Sequence, residues 1–434
     1  MAVAFADSSI VVLALPDLYG AFDTSIVGVS WVITSYNLVV AVTAFLLVPL
    51  VDRIGVSPLT RAGLVLFFAG SVGCAAAWSL EALIAFRCVQ GLGGAALLAG
   101  ALALLGRLVG SPARGAALWT AAGTLGAACG PALGGVLTQL FDWRSIFAVQ
   151  APVALVALVA ALEAHVPAGP PREGPWHGLF TPNLALAFVF GALVGALFLA
   201  VLLVITVWGL SPIVGALVVS ALPAATLAVR PLLRELSPRA AAAAGAALLA
   251  AGLVALALLP AVSNVIVAVA LGFCGVGLGL AVPVLTRAAV TPEAGLVHSG
   301  TVTVGARHAG LVLALALIAP LLTHELEQGG ERAMLGGTKV LLDGNVPLTK
   351  KVPVALDLRD ALEEAPKGEV PDLAEPFDSR GAGSDTKLRR LRDDLIGTLE
   401  GVITRSFRSS FALSALFAAF ALLPILLSRR AVPT

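Results

Sequence analysis

The feature that most constrains this chain is the length of its uninterrupted apolar runs. LVVAVTAFLLVPLV (38–51), LALAFVFGALVGALFLAVLLVITVW (184–208) and FALSALFAAFALLPILL (411–427) contain no charged residue. A helix needs about 20 apolar residues to cross a hydrocarbon core roughly 30 Å thick. A membrane β-barrel would instead show alternating segments of about ten residues. Hydrophobic residues make up 59% of the chain and charged residues 12%, about half the charge of a soluble domain. The fold class expected is an all-α polytopic membrane protein.

The runs predict twelve spans, at 1–19, 29–51, 61–79, 81–105, 113–138, 144–164, 182–208, 210–229, 239–260, 263–287, 296–322 and 407–428. Arginines fall on one side of this plan: Arg53, Arg61, Arg107, Arg114, Arg172, Arg230, Arg234, Arg239, Arg287, Arg429 and Arg430, against Arg144 on the other. The positive-inside bias then places both termini in the cytoplasm of a cell membrane. The first twenty residues lack a basic start and carry Asp7, so no cleaved signal peptide is expected. Cys74, Cys88, Cys129 and Cys274 sit in apolar runs and read as small hydrophobes.

HVPAGPPREGPWHGLFT (165–181) is rich in Pro and Gly and separates two groups of six spans. GVSWVITSYNLVVAVTAFLLVPLVDRI (28–54) and GLSPIVGALVVSALPAATLAVRPLLREL (209–236) echo each other. Each opens Gly-x-Ser and carries Pro-Leu-x before its closing charges. The halves therefore read as parallel repeats, a six-helix bundle at 1–164 and a second at 182–322 with 407–434. Residues 323–406 hold more than half of the charged residues and every lysine. The span count puts them outside the cell, as a loop or cap with short helices. Within them LRDALEE (358–364) and KLRRLRDDLIGTLEGVITRSF (387–407) have helical spacing, and APKGEVPDLAEPFDSRGAGSD (365–385) reads as loop.

GAACGPALGG (126–135) would break a helix in water, where Gly costs about 1 and Pro about 3 kcal/mol. In lipid it has other uses. Gly126, Gly130 and Gly134, four apart, make one smooth face for a neighbouring helix. Pro131 and Gly135 permit a bend. GLGGAA (91–96) lacks the strand context of a dinucleotide-binding loop, and GFCGVGLGL (272–280), which lacks the Lys-Ser/Thr of a phosphate loop, reads through Gly275 and Gly279 as a second close helix contact.

These stretches are similar to the major facilitator superfamily, and within it to the drug:proton antiporter branch that usually has fourteen spans. GxxxGPxxGG resembles that branch's antiporter motif, and ADSSIVVLALP (6–16) its first-span signature. LVPLVDRIG (47–55), with Asp52, Arg53 and Gly55, resembles the cytoplasmic motif between spans two and three. LIAFRCVQGLGGAALLAG (83–100), DWRSIFAVQAP (142–152) and ARHAG (306–310) match further elements in order. Pro49, Val56, Ser57 and Gln150 depart from the pattern, and the branch's two extra helices have no counterpart. The resemblance implies two six-helix bundles in pseudo-twofold relation, an alternating-access transporter and no enzyme.

Charge inside a bilayer is costly and usually faces a passage or a partner. The candidates for proton coupling and the transport passage are Asp7, Arg87, Arg307 and His308, with Trp31, Tyr36, Asn37, Gln90 and Gln150 as lining. Asp7 is the candidate proton carrier, and the resemblance assigns Arg87 to its relay. Few polar residues line the spans, which argues for hydrophobic or amphipathic cargo, and the resemblance implies its exchange against protons. No cofactor, metal or nucleic acid is expected, and the chain is expected to be a monomer surrounded by membrane lipids. Two alternatives remain: export of a lipid or glycolipid with the outer loop assisting release, and a non-transporting anchor for a partner-binding outer domain.

Overall fold

Serine begins five of the long helices. Ser25, Ser79, Ser111, Ser237 and Ser263 each accept a hydrogen bond from a backbone N–H in the first turn, at 3.0 to 3.4 Å. Each thereby satisfies a donor the helix leaves unpaired. The computed structural model describes residues 2–163, 179–229, 231, 235–260, 262–291, 295–343, 346–347, 349, 351–357, 377, 379 and 385–427. The helices before residue 164 are α1 (Ala2–Val12), α2 (Leu15–Ala21), α3 (Ile26–Leu47), α4 (Val51–Ile54), α5 (Val56–Ala75), α6 (Leu80–Leu108), α7 (Pro112–Leu140) and α8 (Arg144–Glu163). After residue 178 come α9 (Phe180–Val201), which widens into a π turn at Leu202–Val207, then α10 (Pro212–Val219), α11 (Ala221–Ala228), α12 (Pro238–Ala257), α13 (Asn264–Ala289) and α14 (Leu296–Asp343). The last three are α15 (Thr386–Ser406), α16 (Arg408–Phe420) and α17 (Leu422–Leu427).

Among the described residues nine helices are long and apolar enough to cross a membrane, ten if α1 and α2, bent by 59°, form one span. The chain is a multi-pass membrane protein. The two remaining expected spans coincide with α7 and with α10–α11, broken at Ser220.

Glycines decide which helices touch. A Cβ at Gly126, Gly130 or Gly134 of α7 would strike the Ala2 carbonyl, the Ser9 hydroxyl or the Ile10 carbonyl of α1. The three-glycine face is thus the seam for the first helix, while Gly135 turns the other way onto Pro212 and Ala216 of α10. Despite Pro131, α7 is continuous. Gly93 fits α6 against Gly63 and Phe67 of α5, and Gly275 and Gly279 fit α13 against Leu222 and Thr226 of α11. Gly55 stands at φ 84°, a conformation that favours glycine, and joins α4 to α5.

Basic side chains tie helix ends together. Arg61 donates to the carbonyls of Ala161 and Leu162 at 3.0 and 2.9 Å, and Arg239 to that of Leu426. At the opposite end Arg144 donates to Ala77 at 3.2 Å. Arg172, Arg230, Arg234, Arg429 and Arg430 lie outside the described residues, as do nearly all of the expected linker 165–181, LRDALEE and most of 365–385.

The eleventh span does not stop at 322. α14 runs for 48 residues to Asp343, about 72 Å at 1.5 Å per residue and more than twice the hydrocarbon thickness. Its far half packs against α15. Val346, Val354, Phe377, Leu388, Leu391 and Leu395 form a small separate core with Val340, Leu341 and Leu399. Between 323 and 406 the described residues hold the far half of α14, a short helical stretch at 351–357, and α15, which falls on the expected helical segment 387–407. Trp208, just after the π turn, donates to the Thr404 hydroxyl at 3.1 Å, and Ser409 donates to Glu325 at 3.0 Å.

Candidate functional site

Asp7 and Arg87 meet. The guanidinium Nη1 lies 2.6 Å from Asp7 Oδ2, and both side chains have 0% exposure. Taking two ions out of water costs several kcal/mol each, so a buried pair needs further hydrogen bonds to hold it. Four elements supply them. Gln150 of α8 donates to Asp7 Oδ1 at 3.0 Å. Gln90, one turn along α6 from Arg87, accepts from Nη1 at 2.6 Å, and its amide donates to Gln150 at 3.0 Å and to Ser71 of α5 at 2.9 Å. The Val32 carbonyl of α3 accepts from Arg87 Nε at 2.8 Å. The guanidinium carbon sits 4.3 Å from the Tyr36 ring centre and 5.6 Å from that of Phe147. Arg87 Nη2 has no hydrogen-bond partner among the described residues.

Tyr36 donates its hydroxyl to the Ala4 carbonyl at 3.2 Å, and Ser8 donates to Asn37 at 3.0 Å, so α3 is pinned along α1. The same tyrosine ring reaches His308 of α14, with centroids 6.4 Å apart. His308 Nδ1 lies 2.8 Å from the Val304 carbonyl of its own helix. Asp7, Arg87, Tyr36 and His308 therefore form a continuous row running from helices before residue 164 to one after residue 178.

Arg307, beside His308, is in a second group and does not reach Asp7. It is 3% exposed, donates through Nη2 to the Thr286 hydroxyl of α13, and lies 5.2 Å from the ring centre of Trp119 on α7 and 4.9 Å from that of Phe190 on α9. Trp119 in turn meets Phe5 of α1 edge to face at 5.1 Å. The two groups share α1 as a common wall.

Trp31 belongs to neither group. It is 46% exposed. At about 100° per residue, a helix that turns Val32 and Tyr36 inward turns Trp31 away. Ser71, Trp119, Phe190 and Thr286 enter the site without having stood out in the sequence. A serine, a threonine and two aromatics in apolar helices carry no signal of their own.

Asp52 does not pair with the adjacent Arg53. Its Oδ2 lies 3.1 Å from Nε2 of His298, in the first turn of α14. Nearby, Phe45 of α3 fills the space beside Gly305, and Leu102 of α6 that beside Gly300. At the other end Gly135 abuts α10, and α2 packs on the π turn after α9. The early and late helices therefore touch at both ends, with the Asp7–Arg87 pair buried among the early helices and Arg307 buried between early and late ones. His298, His308 and His324 share α14 but have separate partners, Asp52, Val304 and Gln328.

A family model described as Major Facilitator Superfamily matches residues 1–318. Among curated proteins the chain is 37% identical over 161 residues to multidrug resistance protein Stp of Mycobacterium tuberculosis, covering 36% of this chain and 30% of that protein. It is 34% identical over 192 residues to drug efflux pump JefA of the same organism, covering 43% and 37%. A methylenomycin A resistance protein of Bacillus subtilis is 32% identical over 219 residues, covering 44% and 47%. The chain thus matches less than half the length of each. Among solved structures, a bacterial homolog of the human lysosomal transporter Spinster, inward-facing and occupied, superposes with a TM-score of 0.65 at 15% identity, over 100% of this chain and 96% of that one. A D-xylose–proton symporter gives 0.58 at 14%, over 73% and 87%. At such identities the likeness is one of fold.

Proposed function

This chain belongs to the Major Facilitator Superfamily, a family of transporters and not of enzymes, and from that premise we propose that it exports hydrophobic or amphipathic compounds in exchange for protons by alternating access. The observation that carries the reading is the sealed Asp7–Arg87 pair at 2.6 Å, held by Gln90 and Gln150. Ionisable side chains within membrane spans mark ion pathways and proton relays, and in this reading Asp7 is the group that takes up and releases the proton. Protonation removes the charge that holds Arg87. Released, Arg87 loosens α1 from α6 and α8, and α1 carries α7 with it through the glycine seam.

α7 is the element placed to pass this on. It bears Trp119 against Arg307 and Gly135 against α10, so a shift in α7 disturbs contacts to the late helices at two levels. The Asp52–His298 bond closes one end and the Gly135 contact the other, and in the cycle they break in turn. The moving bodies are residues 1–164 and 182–322 with 407–434, joined by the linker 165–181. Both termini lie in the cytoplasm, and residues 323–406 lie outside. The names of the relatives, multidrug resistance and drug efflux, support outward transport of drug-like cargo.

The test is transport in proteoliposomes. With the wild type, an imposed pH gradient drives accumulation of a fluorescent amphipath, and a protonophore abolishes it. Asp7→Asn keeps gradient-independent exchange and loses accumulation. Accumulation by Asp7→Asn at the wild-type level would contradict the reading.

A further inference from the structure

Arg307 is a buried cation without a counter-ion among the described residues. Asp7 is the one fully buried carboxylate among them, and Arg87 and Gln150 already occupy both its oxygens. What Arg307 has instead is neutral: the Thr286 hydroxyl and the faces of Trp119 and Phe190. Among the described residues its Nε–H has no acceptor, and neither has the indole Nε1–H of Trp119, a side chain with 0% exposure. Two unsatisfied donors and one fixed positive charge therefore lie side by side, and a buried donor left unpaired is costly. Such a grouping is short of an acceptor, and of a negative one above all.

We propose that Arg307 and Trp119 form the recognition point for an organic anion, a cargo with an apolar, ring-bearing body and a carboxylate or phosphate head. The inference rests on the exporter reading and narrows its cargo. A guanidinium binds an oxyacid through two parallel N–H donors, and the indole N–H supplies a third. Phe5, Trp119 and Phe190 offer ring faces and edges to the body. Trp119 comes from a helix before residue 164, Phe190 and Thr286 from helices after 178. Parting of the two sets opens both unsatisfied donors to one passage. A cationic cargo meets like charge there in a poorly solvated setting, where repulsion is strongest.

Binding to the full chain in nanodiscs of zwitterionic lipid tests this with three probes of one shape: 2-naphthoate, 2-naphthamide and protonated 2-naphthylmethylamine. Naphthoate is expected to bind about tenfold or more tighter than the amide, the size of effect set by hydrogen bonds to a charged group, with the amine weakest. Arg307→Gln brings naphthoate to the level of the amide. Arg307→Lys, which keeps the charge but not the fork, falls between. Trp119→Phe keeps the ring, loses the N–H and weakens naphthoate several-fold, and the amide, a neutral acceptor, by less.

Replacing part of the lipid with phosphatidylglycerol separates two sources of the anion. Competition with naphthoate identifies a lipid headgroup as ligand, and no competition identifies a soluble amphipath. Amine binding as tight as naphthoate, or unchanged naphthoate binding by Arg307→Gln, would overturn the proposal. If Arg307→Gln does not fold, the ranking of the three probes on the wild type and the Trp119→Phe result decide. Gradient-driven transport of a cationic dye that naphthoate never inhibits sinks this inference and leaves the exporter standing. Acid-selective binding without transport of any probe does the reverse.

Discussion

Asp7 and Arg87 depend on each other for their place in the interior. Removing one partner leaves the other charged, buried and unpaired, at a cost of about 3–5 kcal/mol, while removing both removes the problem. Asp7→Asn and Arg87→Gln are therefore each expected to lower the thermal midpoint of the purified protein sharply. The double variant should lose less than the sum of the two, and a strictly additive double variant would show that the pair does not form. That these residues matter was legible, because ionisable groups stand out in apolar runs. That they touch was not: they lie 80 positions apart, on helices whose contact depends on tertiary packing. Arg307 stood out for the same reason, and its partner Trp119 did not, since a tryptophan in an apolar helix is ordinary. The motif carrying Asp52 was legible too, but its partner His298 sits on another helix.

At the scale of elements, small residues record contacts that hydropathy cannot. The spacing of Gly126, Gly130 and Gly134 foretold a close neighbour, and the structure identifies it as α1. The three positions differ in what blocks a methyl group. At Gly126 the obstacle is the backbone carbonyl of Ala2, at Gly130 the hydroxyl of Ser9, which can rotate away. Gly126→Ala should thus cost more than Gly130→Ala, within the ~1–3 kcal/mol usual for overpacking, as read from melting of the two variants in the same detergent. The reverse order would mean that α1 sits differently on α7.

Helix ends were less legible. The apolar run was read as a span ending at 322, yet packing on α15 sustains the helix to Asp343. Propensity is a weak prior where a partner helix covers one face. Leu391→Ala, in the small core between these helices, should cost about 2–5 kcal/mol. The expected sign is faster cleavage of 323–406 by an added protease, with the bundle intact. Unchanged cleavage would show that the outer helices do not rely on that core.

At the scale of the molecule, two contacts matter most, one at each end. Asp52 and His298 join α4 to the start of α14, and Gly135 seats α7 on α10. Breaking the first by His298→Ala should favour the form open at that end. Spin labels on α3 and α14 there would then report a longer, broader distance, while labels on α7 and α10 at the other end would not separate. Separation at both ends together would rule out alternating access.

The account stands or falls on protons moving with cargo through Asp7. An internal pH dye in proteoliposomes reports this directly when an amphipath is added to one side. The wild type is expected to carry protons in the direction opposite to the cargo, and Asp7→Asn to carry none. Cargo crossing the wild-type membrane with no accompanying proton movement would contradict it.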